Sequence, residues 1–241
     1  MNLVIDIGNT RSKLAIFKDS KLVFLKIENA LTINILKAFV SDYPLIRQCI
    51  ISSVAQYDIG IVGFFQKLGI TLLLLESETP IPFINNYSTK KTLGRDRIAA
   101  IAGVCTNYPG KNALVIDAGT AITFDLKDQN EEYLGGNISP GLEMRFKALH
   151  QFTAKLPLLS SAISNSFMGT STNEAIINGV QNGMIFEIQG YIDSLLIKYP
   201  DMLVILTGGD SAFFENKLKR TIFVDSNLIL SGLNTILEYN V

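Results

Sequence analysis

One arrangement occurs twice in this chain. The apolar run Leu3-Val4-Ile5 ends in Asp6-Ile7-Gly8-Asn9-Thr10-Arg11-Ser12-Lys13 and leads into Leu14-Ala15-Ile16-Phe17. Far downstream, Ala113-Leu114-Val115-Ile116 ends in Asp117-Ala118-Gly119-Thr120 and leads into a second apolar run. Each copy reads as strand, tight turn, strand, with an Asp-x-Gly turn, and each begins a similar run of elements. The pattern predicts strands over residues 2–7, 13–18 and 21–27, joined by connections so short that they form an antiparallel meander. A helix is expected near 32–40, a strand at 48–52, a helix at 59–68 and a strand at 70–75. The second half restarts with strands at 113–116, 121–126 and 132–138 and a helix at 141–151. A long helix follows at about 171–199, then strands at 203–206 and 221–224 and a last helix near 228–239. A chain of 241 residues can hold two such lobes, divided here as residues 1–110 and 111–241.

Between the repeats lies a long connection, residues 76–93, containing Pro80, Pro82, Asn85, Asn86 and Tyr87, which do not continue a helix or strand. It ends in Gly94-Arg95-Asp96-Arg97, which opens an apolar helix. Asp96 is either a cap in a first helical turn or a carboxylate held rigidly at the rim of a cleft. Arg97 either forks onto an anionic substrate or pairs with Asp96. The turn from Asp6 to Lys13 is open to two readings as well. Asp, Gly and Asn are common in plain hairpin turns. Alternatively, glycine lets backbone N–H groups approach an anion, Asp6 holds a hydrated divalent cation, and Thr10 and Lys13 meet phosphate oxygens. Two such loops face to face would grip a nucleotide's phosphates. The turn Thr207-Gly208-Gly209-Asp210, after a late buried strand, offers flat backbone for an adenine ring.

Composition excludes several classes. With 48% apolar and 18% charged residues the chain is globular. A net charge of −1 without a basic block recruits neither nucleic acid nor an anionic membrane. Met1 runs into a strand with no cationic leader, and the apolar runs are too short to span a bilayer. Cys49 and Cys105 sit in apolar runs and read as buried free thiols, which fits a cytoplasmic location. His150 is the only histidine, so a Ser-His-Asp triad would rest on it alone, and no Cys/His cluster has zinc spacing. The sequons at Asn86 and Asn137 are taken as chance.

Taken together, the chain resembles the acetate kinase, sugar kinase, Hsp70 and actin superfamily, and within it the type III pantothenate kinases. The residues that carry the likeness span nearly the whole chain. They are the Asp6 to Lys13 turn, Gly94-Arg95-Asp96-Arg97, Asp117-Ala118-Gly119-Thr120 and Gly135-Gly136-Asn137-Ile138-Ser139-Pro140-Gly141. Further on come Thr153-Ala154-Lys155-Leu156-Pro157, Thr172-Asn173-Glu174-Ala175-Ile176 with Gly179, and Thr207-Gly208-Gly209-Asp210. The resemblance implies an α/β fold of two similar actin-like (ribonuclease H-like) lobes, each βββαβαβα, with a nucleotide cleft between them. It implies ATP-dependent phosphorylation of pantothenate to 4′-phosphopantothenate, the first step of coenzyme A biosynthesis. Asp6, Ile7, Gly8, Asn9, Thr10, Arg11, Ser12 and Lys13 would cradle the phosphates, with Asp6 reaching Mg²⁺ through water, and Thr120 would contact ATP. Asp96 would be the general base. Asp117 would hold a monovalent cation, K⁺ or NH₄⁺. Tyr87, Gly94, Arg95, Asp96, Arg97 and Thr172 would form the pantothenate site, Arg95 without a specific role and Arg97 as a partner for the pantothenate carboxylate. The family is homodimeric, with no nucleic-acid or membrane partner. Another small-molecule kinase of the superfamily and a non-catalytic nucleotide-binding regulator are the alternatives.

Overall fold

Residues 1–54, 60–164 and 166–241 are described by a computed structural model of the chain. Their contacts divide it into two units: Met1–Gly110 with Glu131–Tyr133 and Asn227–Val241, and Lys111–Asn130 with Leu134–Ser226.

The first unit begins with the expected meander, β1 (Asn2–Ile7), β2 (Ser12–Lys18) and β3 (Lys21–Glu28). Asp19 and Ser20 both adopt positive φ, the conformation that a two-residue hairpin needs to match the strand twist. Helix α1 (Ile33–Asp42) follows, capped by the Thr32 side chain, which accepts from Ile35 N–H at 3.3 Å. Then come β4 (Gln48–Ser53), α2 (Gly60–Lys67) and β5 (Thr71–Leu74). The helix expected from 59 thus starts at Gly60, and residue 59 lies outside the described residues. The sheet runs β3-β2-β1-β4-β5, with β1 antiparallel to β2 and parallel to β4. A strand whose two faces are both covered must be apolar on both, and Leu3, Val4 and Ile5 are fully buried. Leu36 and Phe39 of α1 and Ile61 and Phe65 of α2 fill one face.

The second unit follows a similar order but departs from the expected βββαβαβα, because two helices and not one connect its third and fourth strands. Strands β7 (Ala113–Ala118), β8 (Ala121–Lys127) and β9 (Glu132–Pro140) precede α4 (Leu142–Gln151), α5 (Thr172–Lys198) and β10 (Leu203–Thr207). The short α6 (Ser211–Phe214) and β11 (Phe223–Val224) complete it. Strand order is β11-β10-β7-β8-β9, the same as in the first sheet when each strand is matched to its counterpart in the repeat. Helix α5 presents Ile176, Val180, Met184, Ile188 and Ile192 as one stripe onto Leu114, Ile116 and Phe124.

Two expectations are refined. Residues 84 and 85 lie in the stretch expected to hold neither helix nor strand, yet Ile84–Asn85 forms a short strand, β6, parallel to the opening of β9, Ile84 opposite Glu132 and Asn85 opposite Tyr133. That pairing is long-range and has no local signature. The expected division at 110/111 coincides with a boundary of the units, but Asn227–Val241 groups with the first. Its helix α7 (Leu228–Asn240) packs on α3 (Arg95–Asn107) and on β1 and β4. The two helices cross at glycines. A side chain at Gly232 would collide with the Ala99 carbonyl, and one at Gly103 with that of Leu228. Cys49 and Cys105 are buried free thiols, as expected.

Gly232→Ala should destabilise the protein by about 1–3 kcal/mol or more in urea melts, because backbone cannot yield as a side chain can. Gly190→Ala, on α5 with open space around it, should stabilise by about 0.5–1 kcal/mol.

Candidate functional site

In the first unit the β1–β2 turn is closed by Gly8 N–H donating to the Arg11 carbonyl at 3.0 Å. Ile7 and Ser12 are buried. Asn9, Thr10 and Arg11 are exposed. Asp6 and Lys13 face each other in the strand register. The Asp6 carboxyl is pushed up to about 6, chiefly by burial. Lys13 opposes the shift, and the Asp96 carboxylate adds to it. Asp6 and Asp96 therefore share one field although they lie on different elements.

Asp96 stands in the first turn of α3. Its Oδ1 accepts from Arg97 N–H at 2.9 Å, and Gly94 leaves room for it, since a side chain there would strike that oxygen. Asp96 is thus a first-turn carboxylate and not the cap, which is Gly94: the helix N-terminus favours the anion, and the hydrogen bond from Arg97 fixes its direction. Arg95 Nε donates to the Leu75 carbonyl at 2.6 Å, tying α3 to the end of β5. Arg97 is buried, with its guanidinium carbon 5.6 Å from the Tyr87 ring centroid and Nη2 donating to the Tyr133 hydroxyl at 2.8 Å. Tyr87 and Tyr133 stack at 6.0 Å. Gly94, Arg95, Asp96, Arg97 and Tyr87 are therefore gathered in one unit. Tyr133 is the residue that sequence reasoning missed. Only the β6–β9 pairing brings it there.

In the second unit three glycine-bearing segments converge. Gly208 has φ +94°, a conformation that suits glycine, and a side chain there would collide with the Asp117 carboxylate and the Ala118 carbonyl. Asp210 N–H donates to that same carbonyl at 2.9 Å. Gly141, at the start of α4, lies against the carbonyls of Gly119 and Thr120 with no room for a Cβ. The Asp117-to-Thr120 loop is thus cradled by the Thr207-to-Asp210 turn and the head of α4. Burial raises the Asp210 carboxyl, with Glu143 adding to the shift. Thr172 is the exposed first residue of α5, whose cap is Ser171. His150 Nδ1 lies 2.8 Å from the Leu156 carbonyl on an exposed face, which gives it a local structural partner.

The donors suit the cations expected here. Asp117 offers a carboxylate beside backbone carbonyls, an all-oxygen set fitting a hard monovalent ion. Among the described residues no three His, Cys, Asp or Glu side chains gather into a metal cage. A lone Asp6 fits a divalent ion that arrives with phosphate ligands and keeps its waters.

The Asp6 carboxyl, ordinarily at 3.8, holds its proton to about 6 in the fold. Its contribution to stability is present in full below 3.8 and is lost as pH rises through 6. In metal-free buffer, Asp6→Asn should grow more stable relative to the parent between about pH 4 and 7, read by urea melts across that range. A difference that does not vary with pH would show that burial leaves Asp6 unshifted.

With this geometry in hand, known proteins can be compared. Residues 2–194 match the family described as Type III pantothenate kinase. A protein of that name from Bacteroides fragilis is 46% identical over 240 residues, covering 100% of this chain and 98% of its own. A solved Campylobacter jejuni structure, described provisionally as a Baf family transcriptional activator, shares 26% identity at a TM-score of 0.62, over 99% and 98% of the two chains. A Listeria monocytogenes protein described provisionally as an N-acetylmannosamine kinase shares the fold at 10% identity and a TM-score of 0.55, over 100% and 99%. The duplicated α/β units are thus two actin-like lobes, as the resemblance implied, and the chain belongs to the type III pantothenate kinase family.

Proposed function

We propose that this chain transfers the γ-phosphoryl group of ATP to the primary hydroxyl of pantothenate, giving 4′-phosphopantothenate at the start of coenzyme A formation. Family membership supports the reaction. The observation that carries the assignment of its machinery is the Asp96 carboxylate, fixed in the first turn of α3 by Arg97 N–H and electrostatically coupled to Asp6.

Phosphoryl transfer asks a protein mainly for positioning and charge stabilisation. The turn from Asp6 to Lys13 supplies backbone N–H groups and the Lys13 ammonium to the phosphates, and Thr120 supplies a hydroxyl. Asp96 accepts the proton of the attacking hydroxyl. A carboxylate hydrogen-bonded within a first helical turn is suited to this, because its rotamer is set before substrate arrives. When bound with the nucleotide, magnesium would neutralise phosphate charge, and Asp6 is the residue that would hold it. Asp117 holds potassium or ammonium, which offsets charge where the second loop has no Lys or Arg of its own. Tyr87, Gly94, Arg97 and Thr172 bind pantothenate, with the Arg97 guanidinium for its carboxylate. By family resemblance the protein works as a cytoplasmic homodimer, on small molecules rather than nucleic acid or membrane. Among the described residues no helix is long and apolar enough to cross a membrane.

A coupled ADP-release assay with pantothenate, with and without potassium, tests this. Activity should require both. Asp96→Asn should lose about 10²-fold or more in kcat, the usual cost of a positioned base, and full activity in that variant would remove Asp96 from the role. Asp117→Ala should lose its response to potassium while keeping its fold, whereas a parental potassium titration would exclude the cation site. ATP binding with no turnover on pantothenate or any other acceptor would favour a nucleotide-binding regulator.

A further inference from the structure

Tyr133 is fully buried, touches two of the residues assigned to pantothenate, and has no part in the reaction as described above. Its hydroxyl accepts from Arg97 Nη2 at 2.8 Å. Its ring stacks on Tyr87 with 26° between planes and 6.0 Å between centroids. Phe83 meets the Tyr133 ring edge-on, with 6.5 Å between centroids. The backbone around it is pinned as well. Asn86 N–H donates to the Tyr133 carbonyl at 3.2 Å, Ile84 N–H donates to the Glu131 carbonyl at 3.0 Å, and Asn86 Nδ2 donates to Glu132 Oε2 at 2.7 Å.

From this arrangement we infer that Tyr133 is a positioning residue for acceptor recognition. Its hydroxyl sets the direction of the Arg97 fork, and its ring sets the plane of Tyr87, so that both are in place for a carboxylate-bearing acceptor. The inference rests on Arg97 meeting that carboxylate. Two independent restraints act on one guanidinium: a hydrogen bond at one nitrogen and the Tyr87 face beside its plane. A bidentate contact needs such a fixed plane, because a fork that rotates loses one of its two bonds. A core tyrosine serving only to fill space needs neither the guanidinium on its hydroxyl nor the stacked tyrosine.

Steady-state kinetics at saturating ATP distinguish the two roles. Tyr133→Phe keeps the ring and the packing and removes only the hydroxyl. It should raise KM for pantothenate roughly tenfold, on the scale of one lost bond to a charged group, with kcat and KM for ATP within about twofold. With an analogue whose carboxylate is replaced by a neutral alcohol, the same substitution should leave KM unchanged, whereas a general loss of structure would raise both. In an Arg97→Met background, Tyr133→Phe should add nothing to KM for pantothenate, since the two act as one unit. If Arg97→Met raises KM and Tyr133→Phe does not, or if the two effects multiply independently, the positioning role is overturned and the acceptor site stands. If Arg97→Met leaves KM unchanged, the carboxylate contact itself is wrong and the role of Tyr133 falls with it.

Discussion

Where helices α3 and α7 cross, two glycines let backbone touch backbone. Gly103 faces the Leu228 carbonyl and Gly232 faces that of Ala99, with no room for a Cβ at either. Helix α3 is buried over nine consecutive residues, Arg97 to Cys105, so it cannot slide without opening the core. Its first turn carries Asp96 and Arg97, and its head is tied by Arg95 to the last residue before the long connection. The position of the Asp96 carboxylate is therefore inherited from a helix–helix contact well down the helix. Cores are close-packed and resist small displacements, which is how a contact of this kind holds a side chain still.

Electrostatics at the same place run against stability. Asp6 is buried enough to be pushed up to about 6, and Asp96 makes the shift larger. An isolated protein has no reason to bring two carboxylates into one field. The proposed reaction supplies one, since a cation brought with the nucleotide would offset the charge of such a pair. The local cost is one of the ways in which a site departs from the rules that govern the rest of a fold.

Much of this was legible from residues alone. The three opening strands, the turn between β2 and β3 and the restart at Ala113 follow from short apolar runs and from turn residues, which are local properties. The places of Asp6, Asp96 and Asp117, at the end of an apolar run or the head of an apolar helix, were legible in the same way, whereas their proposed roles rest on the family resemblance. Tyr133 was not legible. It lies in a strand that reads like any other, and its partners Tyr87 and Arg97 are reached only through the parallel pairing of β6 with β9. Gly141 stood within a recognised stretch without a role until its contact with the Thr120 carbonyl supplied one.

The repeat, the turn chemistry and the acidic residues are determined by sequence, because strand periodicity and glycine in turns act over a few residues. Two things were decided by tertiary structure. One is the return of Asn227–Val241 to the first unit, where its apolar face covers a sheet built from the other end of the chain. The other is the company that Arg97 keeps. Both depend on which distant surfaces fit together, and no local pattern of polarity carries that information.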